Sequence, residues 1–373
     1  MKIGILTLPL HTNYGGILQA YALQTILERM GHEVVVFDVK KKYSLPFWKY
    51  PLSYTKRIIK KYILHKKNVR IFEEQYQLKI YPIISQHTQK FIDKYIHLYQ
   101  VDSLKDVKEK EFEVIVVGSD QVWRPKYFMS MFKTGIEDAF LNFTKTWEIK
   151  RIAYAASYGT EEWEYTSTQT EKCGELLKVF NAVSVREESG VKLCKEHFDK
   201  EVEHVLDPTM LLEKEDYIKL FETSNTPKSP GTLLNYILDE TPGKKEIINK
   251  IAKDKKLIPF RVNSKIENPY APFEERIQPP IEQWLRGFYD AEFVVTDSFH
   301  ACVFSILFNK PFVVIGNKER GMARFYSLLK MFGLEDRLIA DKNEIEYFDN
   351  MIPEIEKLQE LRSKSNSFLS KLL

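Results

Sequence analysis

The chain has 373 residues, a formal net charge of +3, 44% hydrophobic and 29% charged residues, a soluble globular composition too long for one ordinary core, so two domains are expected. So small a net charge gives no global attraction to nucleic acid, and no run of about 18 or more apolar residues is present to span a membrane. The three cysteines, Cys173, Cys194 and Cys302, make no pair at metal-ligand or redox spacing, which argues against a disulfide framework and predicts a reducing, cytoplasmic setting.

Taken in order, Ile3–Leu8 reads as a first strand; the apolar run is too short, and lacks the small-residue cleavage site, for a signal peptide. Pro9–Gly16 reads as a loop and Ile17–Met30 as a helix stopped by Gly31, with a second strand over Glu33–Asp38, so the chain opens on a βαβ unit. The loop Asn13-Tyr14-Gly15-Gly16 feeds a helix N-terminus, where unpaired amides attract anions. The glycines serve equally well as a mere turn, and the G-x-G-x-x-G pattern of dinucleotide sites is absent.

Lys40 to Arg70 changes character. It carries eleven Lys or Arg and no Asp or Glu, interleaved with Trp48, Tyr50, Tyr54, Ile58, Ile59, Tyr62, Ile63 and Leu64. Such a basic aromatic insertion, placed within 40–110, fits an element lying on an anionic membrane surface, or a solvated face packed by its own aromatics. No nucleic-acid motif accompanies it.

Further strands end in polar residues. Val114–Val117 leads into Gly118-Ser119-Asp120-Gln121-Val122-Trp123, where glycine admits a ligand to the backbone, Ser119 and Asp120 can bond hydroxyls, and Trp123 can stack on a sugar face. Arg151–Ala156 ends at Ser157, Val183–Val185 at Arg186, and Val202–Leu206 at Asp207-Pro208-Thr209. A second α/β half follows a charged linker near Glu213–Pro230, with strands at Leu233–Leu238 and Leu257–Val262 and a helix over Ile281–Tyr289. Phe293–Thr296 then reads as a buried strand, Asp297-Ser298-Phe299-His300 as its turn into a helix, and Phe312–Ile315 as the next strand. A histidine among polar residues at a strand's carboxyl end is a candidate site. The expected architecture is α/β: two Rossmann-like domains facing a cleft, 1–212 and 213–373, with a closing helix over 353–373.

Six stretches in this order carry a resemblance. They are Asn13–Gln24, Val117–Trp123, Ala155–Gly159, Ser184–Glu187, Asp207–Thr209 and Thr296–Ala301. Together they resemble the bacterial polysaccharide pyruvyl transferase family across nearly the whole chain. The resemblance implies a GT-B-like fold and transfer of the enolpyruvyl carbons of phosphoenolpyruvate onto two sugar hydroxyls. The product is a cyclic ketal on a surface-polysaccharide precursor, capsule or exopolysaccharide, carried on a polyprenyl lipid, and phosphate is released. It further implies that His300 is the general acid, with Asp297 orienting it or pairing with an arginine. The trianionic donor would be held by Arg186, with Arg320 and Arg324 beside it. The acceptor would meet Asn13, Gly15, Gly16, Ser119, Asp120, Trp123 and Ser157. The family commonly shows arginine two residues before the histidine; here that donor-side position is Ser298. No cofactor or metal is expected, because phosphoenolpyruvate is itself the substrate. Two other readings fit the same halves: a GT-B glycosyltransferase using a nucleotide sugar, for which Glu319 is the candidate ribose carboxylate, and a non-catalytic sugar-binding subunit.

Overall fold

A computed structural model gives the structure of the protein and describes residues 1–40, 47–66, 69–266, 268–316, 321–340, 344 and 355–371. Seven strands form the first sheet: β1 (Lys2–Leu6), β2 (Glu33–Val39), β3 (Leu98–Val101), β4 (Val114–Val117), β5 (Lys150–Ala156), β6 (Ala182–Val185) and β7 (Glu203–His204). They pair in parallel in the order β3-β2-β1-β4-β5-β6-β7. Five strands form the second: β8 (Leu233–Tyr236), β9 (Pro259–Phe260), β10 (Phe293–Thr296), β11 (Phe312–Ile315) and β12 (Leu338–Ile339). These are parallel in the order β12-β11-β10-β8-β9. Every residue of β4, β10 and β11 is buried, as expected where helices cover both faces of a parallel sheet.

The helices are α1 (Tyr14–Arg29), α2 (Tyr50–Ile58), α3 (Glu73–Ile84), α4 (Gln86–Tyr95), α5 (Pro125–Phe132), α6 (Ser167–Lys178), α7 (Glu188–Phe198), α8 (Lys214–Thr223), α9 (Pro242–Lys255), α10 (Ile281–Asp290), α11 (Phe299–Leu307), α12 (Ala323–Phe332) and α13 (Ile355–Ser370). In each sheet the strand order reverses once beside the first strand of its half, between β1 and β4 and between β8 and β10. Such switch points open crevices at the carboxyl ends of the strands. The two crevices face one another.

One hydrophobic cluster runs through both halves, joining Tyr14, Ile17 and Leu18 of α1 to Trp284, Phe299 and Phe304 of α10 and α11. Polar contacts cross the same junction: Tyr14 Oη donates to the Pro279 carbonyl at 2.7 Å, and Gln278 Nε2 to the Thr12 carbonyl at 2.9 Å. The two domains of a GT-B-like arrangement, with their cleft and C-terminal helix, are therefore present as expected from the sequence.

Three local readings change. The helix α1 starts at Tyr14, so Gly15 and Gly16 lie in its first turn rather than in a loop. Residues 98–101, counted with the insertion, are strand β3, which pairs with β2 and extends the sheet; four residues are too few to show a period. The closing helix α13, counted with the second half, packs back on the first domain. Its Ser365 hydroxyl accepts from the Leu206 amide at 3.0 Å, its Arg362 donates to the Met210 and Leu212 carbonyls, and Phe368 lies against Tyr154.

Candidate active site

The facing crevices enclose a cavity of about 300 Å³. The first domain contributes Asn13, Gly15, Asp120, Gln121 and Tyr127; the second contributes Tyr236, Asp297, Ser298, His300 and Arg324, and the 263–278 connection adds Asn263, Ser264 and Gln278. Helix α11 aims its N-terminus at this space. Its N-cap Ser298 makes no side-chain capping bond, and the first-turn amides of any helix lack intrahelical acceptors, so this end suits an anion.

His300 stands in that first turn, 6% exposed, with no hydrogen-bond partner on Nε2. Its ring fills the space where a side chain on Gly15 would go: a Cβ there would lie 2.0 Å from His300 Nδ1. Glycine at 15 is thus demanded by the close approach of α1 and α11, across the domain junction. Gly16 is not under the same demand, because its Cβ would meet Asn13 and Asp120 at ordinary contact distances of 3.5 and 3.7 Å.

Behind His300 lies a buried charge cluster. Asp207 Oδ2 sits 3.8 Å from His300 Nε2 and accepts from Arg186 Nη1 at 2.5 Å. Asp207 Oδ1 accepts from the amide and hydroxyl of Thr209 at 3.0 and 2.7 Å, which fixes the carboxylate in an Asp-Pro-Thr turn. Arg186 also approaches Asp120 and Glu187, each at 3.6 Å. Burial alone would raise the Asp207 carboxyl, but Arg186, His300 and the Thr209 bond outweigh it and hold it below the ordinary range. Burial depresses the His300 imidazole to about 4, and the nearby Asp207 and Asp120 offset this only in part. The unliganded site therefore holds a neutral imidazole near pH 7. Burial, and then Arg186, lower the Arg324 guanidinium to about 10.

The structure divides the sequence-derived candidates. His300, Asn13, Gly15, Asp120, Ser298 and Arg324 converge on the cavity. Asp120 holds a left-handed backbone with φ of 63°, a conformation aspartate tolerates, at the bend after β4. Trp123 does not face the cleft: it is fully buried, stacked on Phe140, with Nε1 donating to the Ala139 carbonyl. Ser119 donates to the Ala155 carbonyl at 2.9 Å, and Ser157 to the Glu187 carboxylate, so both hydroxyls serve the sheet edge and not a sugar. Among the described residues, Asp297 bonds neither His300 nor an arginine. It accepts from the Leu238 and Asp239 amides at 2.7 and 3.1 Å and from Lys244 Nζ at 2.6 Å, tying the β8 and β10 ends together. Arg186 does not line the cavity; three carboxylates hold it 4% exposed, where it positions Asp207. Arg320 and Glu319 lie outside the described residues.

Asp207 and Gln121 stand within sequence motifs that assign them no role, and Tyr127, Asn263, Ser264 and Gln278 carry no expectation from the sequence. A signal existed for the last three. They sit in the Pro-rich stretch after β9, a connection of about twenty residues without periodicity, and loops of that length in compact domains are usually functional.

A two-domain α/β fold of GT-B type, with an anion-ready helix end in its cleft, defines the class. The fold is similar to that of the UDP-GlcNAc 2-epimerase from Neisseria meningitidis bound to UDP-GlcNAc, at a TM-score of 0.50 and 11% identity over 100% of this chain and 99% of that one. The UDP-GlcNAc 2-epimerase from Methanocaldococcus jannaschii is similar at a TM-score of 0.45 and 14% identity, over 97% and 92% of the two chains. No curated protein sequence matches the chain. Residues 13–319 match the family described as polysaccharide pyruvyl transferase, and the chain belongs to that family.

Proposed function

We propose that the protein transfers pyruvate from phosphoenolpyruvate onto two hydroxyls of a sugar in a lipid-linked surface-polysaccharide precursor, at the inner face of the cell membrane. The observation that carries this reading is His300: a buried imidazole with an unpartnered Nε2, at the N-terminus of α11, opening on the interdomain cavity beside Arg324. Among the described lining residues Arg324 is the one arginine or lysine. A carboxylate and a phosphate call for such a guanidinium together with helix-end amides.

The chemistry follows the same geometry. Near pH 7 the free imidazole is neutral; a trianionic donor against it favours the imidazolium, so donor and proton enter together. His300 then delivers that proton to the methylene carbon of the enol, leaving an oxocarbenium-like centre at the adjacent carbon. One sugar hydroxyl adds there and loses its proton to the imidazole. The C–O bond to phosphate breaks, the second hydroxyl adds to close the ketal, and its proton leaves with the phosphate. Asn13, Asp120, Asn263 and Ser264, from the two domains and their connection, offer the hydroxyl-bonding groups for the acceptor.

The test is incubation with phosphoenolpyruvate and a panel of lipid-linked oligosaccharides, following phosphate release and acceptor mass. We expect stoichiometric phosphate and a pyruvate ketal, both abolished in His300→Ala. Stabilisation in a thermal-shift screen by nucleotide sugars but not by phosphoenolpyruvate, without phosphate release, would overturn it in favour of glycosyl transfer.

A further inference from the structure

The basic aromatic insertion is not used by the site just described. Its described part is α2, prolonged by a wider π turn over Ile59–Ile63. One side of α2 is tethered: Arg57 makes a bidentate pair with Glu74 of α3, both contacts 2.7 Å, and Tyr54 packs on Phe72. The other side is turned to water, with even its least exposed member, Ile59, 40% exposed. Leu52, Ile59 and Ile63, seven and eleven residues apart, share that face by helical spacing. Leu52 is 76% and Ile63 68% exposed, with Trp48 at 64% beside them. Lys56 and Lys60, four and eight residues after Leu52, flank this face, and no acidic residue occurs between Lys40 and Arg70.

Apolar side chains turned to water within a purely cationic segment match one environment best, the boundary between anionic headgroups and acyl chains. The placement is also apt. The last turn of α3 abuts the cleft, where the Gln278 amide donates to the Ile84 carbonyl at 2.9 Å, and Gln278 itself lines the cavity. Arg70 donates to the Pro269 carbonyl on the same rim at 3.1 Å.

We infer that the Leu52/Ile59/Ile63 face is a docking surface for an anionic phospholipid bilayer, holding the rim of the cleft toward the membrane. The inference rests on the lipid-linked reading above and names the surface that would serve it. A sugar on a membrane-embedded carrier would then meet the cavity without leaving the interface.

The test is co-sedimentation of the full chain with vesicles of phosphatidylcholine, with and without phosphatidylglycerol. We expect binding only to the anionic vesicles, weakened by salt. Lys56→Gln and Lys60→Gln should each weaken it roughly fivefold. The triple change Leu52→Ser/Ile59→Ser/Ile63→Ser should abolish it with circular dichroism unchanged. Tryptophan emission should shift to the blue on adding anionic vesicles, and this shift should vanish in Trp48→Phe. Retained vesicle binding in the triple serine variant would overturn the inference. So would a wild-type dimer in solution that the same variant converts to monomer, since the face would then join two copies. Phosphate release with a water-soluble acceptor, measured in parallel, separates the two readings: it should be equal in wild type and triple variant. Its absence in both, with vesicle binding intact, would sink the transfer chemistry and leave the docking surface standing.

Discussion

Gly15 and His300 occupy one another's space, and this pair makes the sharpest predictions at the scale of single residues. Gly15→Ala should favour the isolated helix, because alanine exceeds glycine in helix propensity by about 1 kcal/mol. In the fold its Cβ would overlap the imidazole. We expect the variant to be less stable and, from the acid role proposed for His300, its turnover to fall about a hundredfold, the loss an ångström's misplacement can bring; chemical denaturation and the phosphate assay check the two parts. The pH response of His300 has a fixed sign. Its folded value of about 4 lies below the ordinary 6.5, so the unfolded chain takes up the proton first as pH falls. The stability it contributes is full above about 6.5 and is lost toward about 4, by roughly 3 kcal/mol. His300→Gln should lose correspondingly less over that interval in urea titrations at the two ends. Asp207→Asn keeps an acceptor for Thr209 but leaves Arg186 short of a charge; removing one partner of a buried pair should cost about 3 kcal/mol. His300 and Asp120 were legible as polar residues closing apolar strands. Trp123 misled for a physical reason: an indole suits a sugar face and a core equally, and only the packing of Phe140 against it decides.

At the scale of elements, α1 and α2 show how a sequence can announce a segment and hide its use. The apolar face of α1 was readable, yet its start was not, because helix propensity argues against Tyr14-Gly15-Gly16 while a tertiary contact requires it. The buried strands β4, β10 and β11 were plain from their runs of valine, isoleucine and phenylalanine. The four-residue β3 and the two-residue β12 owe their existence to neighbours and carry little local signal, whereas β7 and β9 were read as longer strands than they are. For α2 the sequence disclosed charge and apolar content but not the tether. Arg57→Ala should free it. We expect hydrogen exchange to rise across residues 50–63, while phosphate release with a soluble acceptor stays unchanged. The Glu74 carboxyl, held below its ordinary range chiefly by its bond to Arg57, should then return toward it.

The whole molecule is joined by more than its connecting chain. Because one apolar cluster spans both sheets, the halves should unfold together, and calorimetry should show one transition rather than two. Tyr14→Phe removes the hydroxyl that reaches Pro279 and should lower stability by about 1 kcal/mol without splitting that transition. The alternation of strands and helices made two Rossmann-like halves legible. Their closeness was not, since it rests on pairs such as Gln278 with Thr12 that lie far apart in sequence. Helix α13 adds an order of events to this picture. During synthesis the first sheet is complete once β7 has emerged, but the surface around Tyr154, Leu206 and Met210 still lacks the contacts of Ser365, Arg362 and Phe368. The nascent first domain must therefore wait, with that flank open, until nearly all of the second has been made. The exposure of the newborn first domain to aggregation or chaperone capture is set by a helix translated after both sheets.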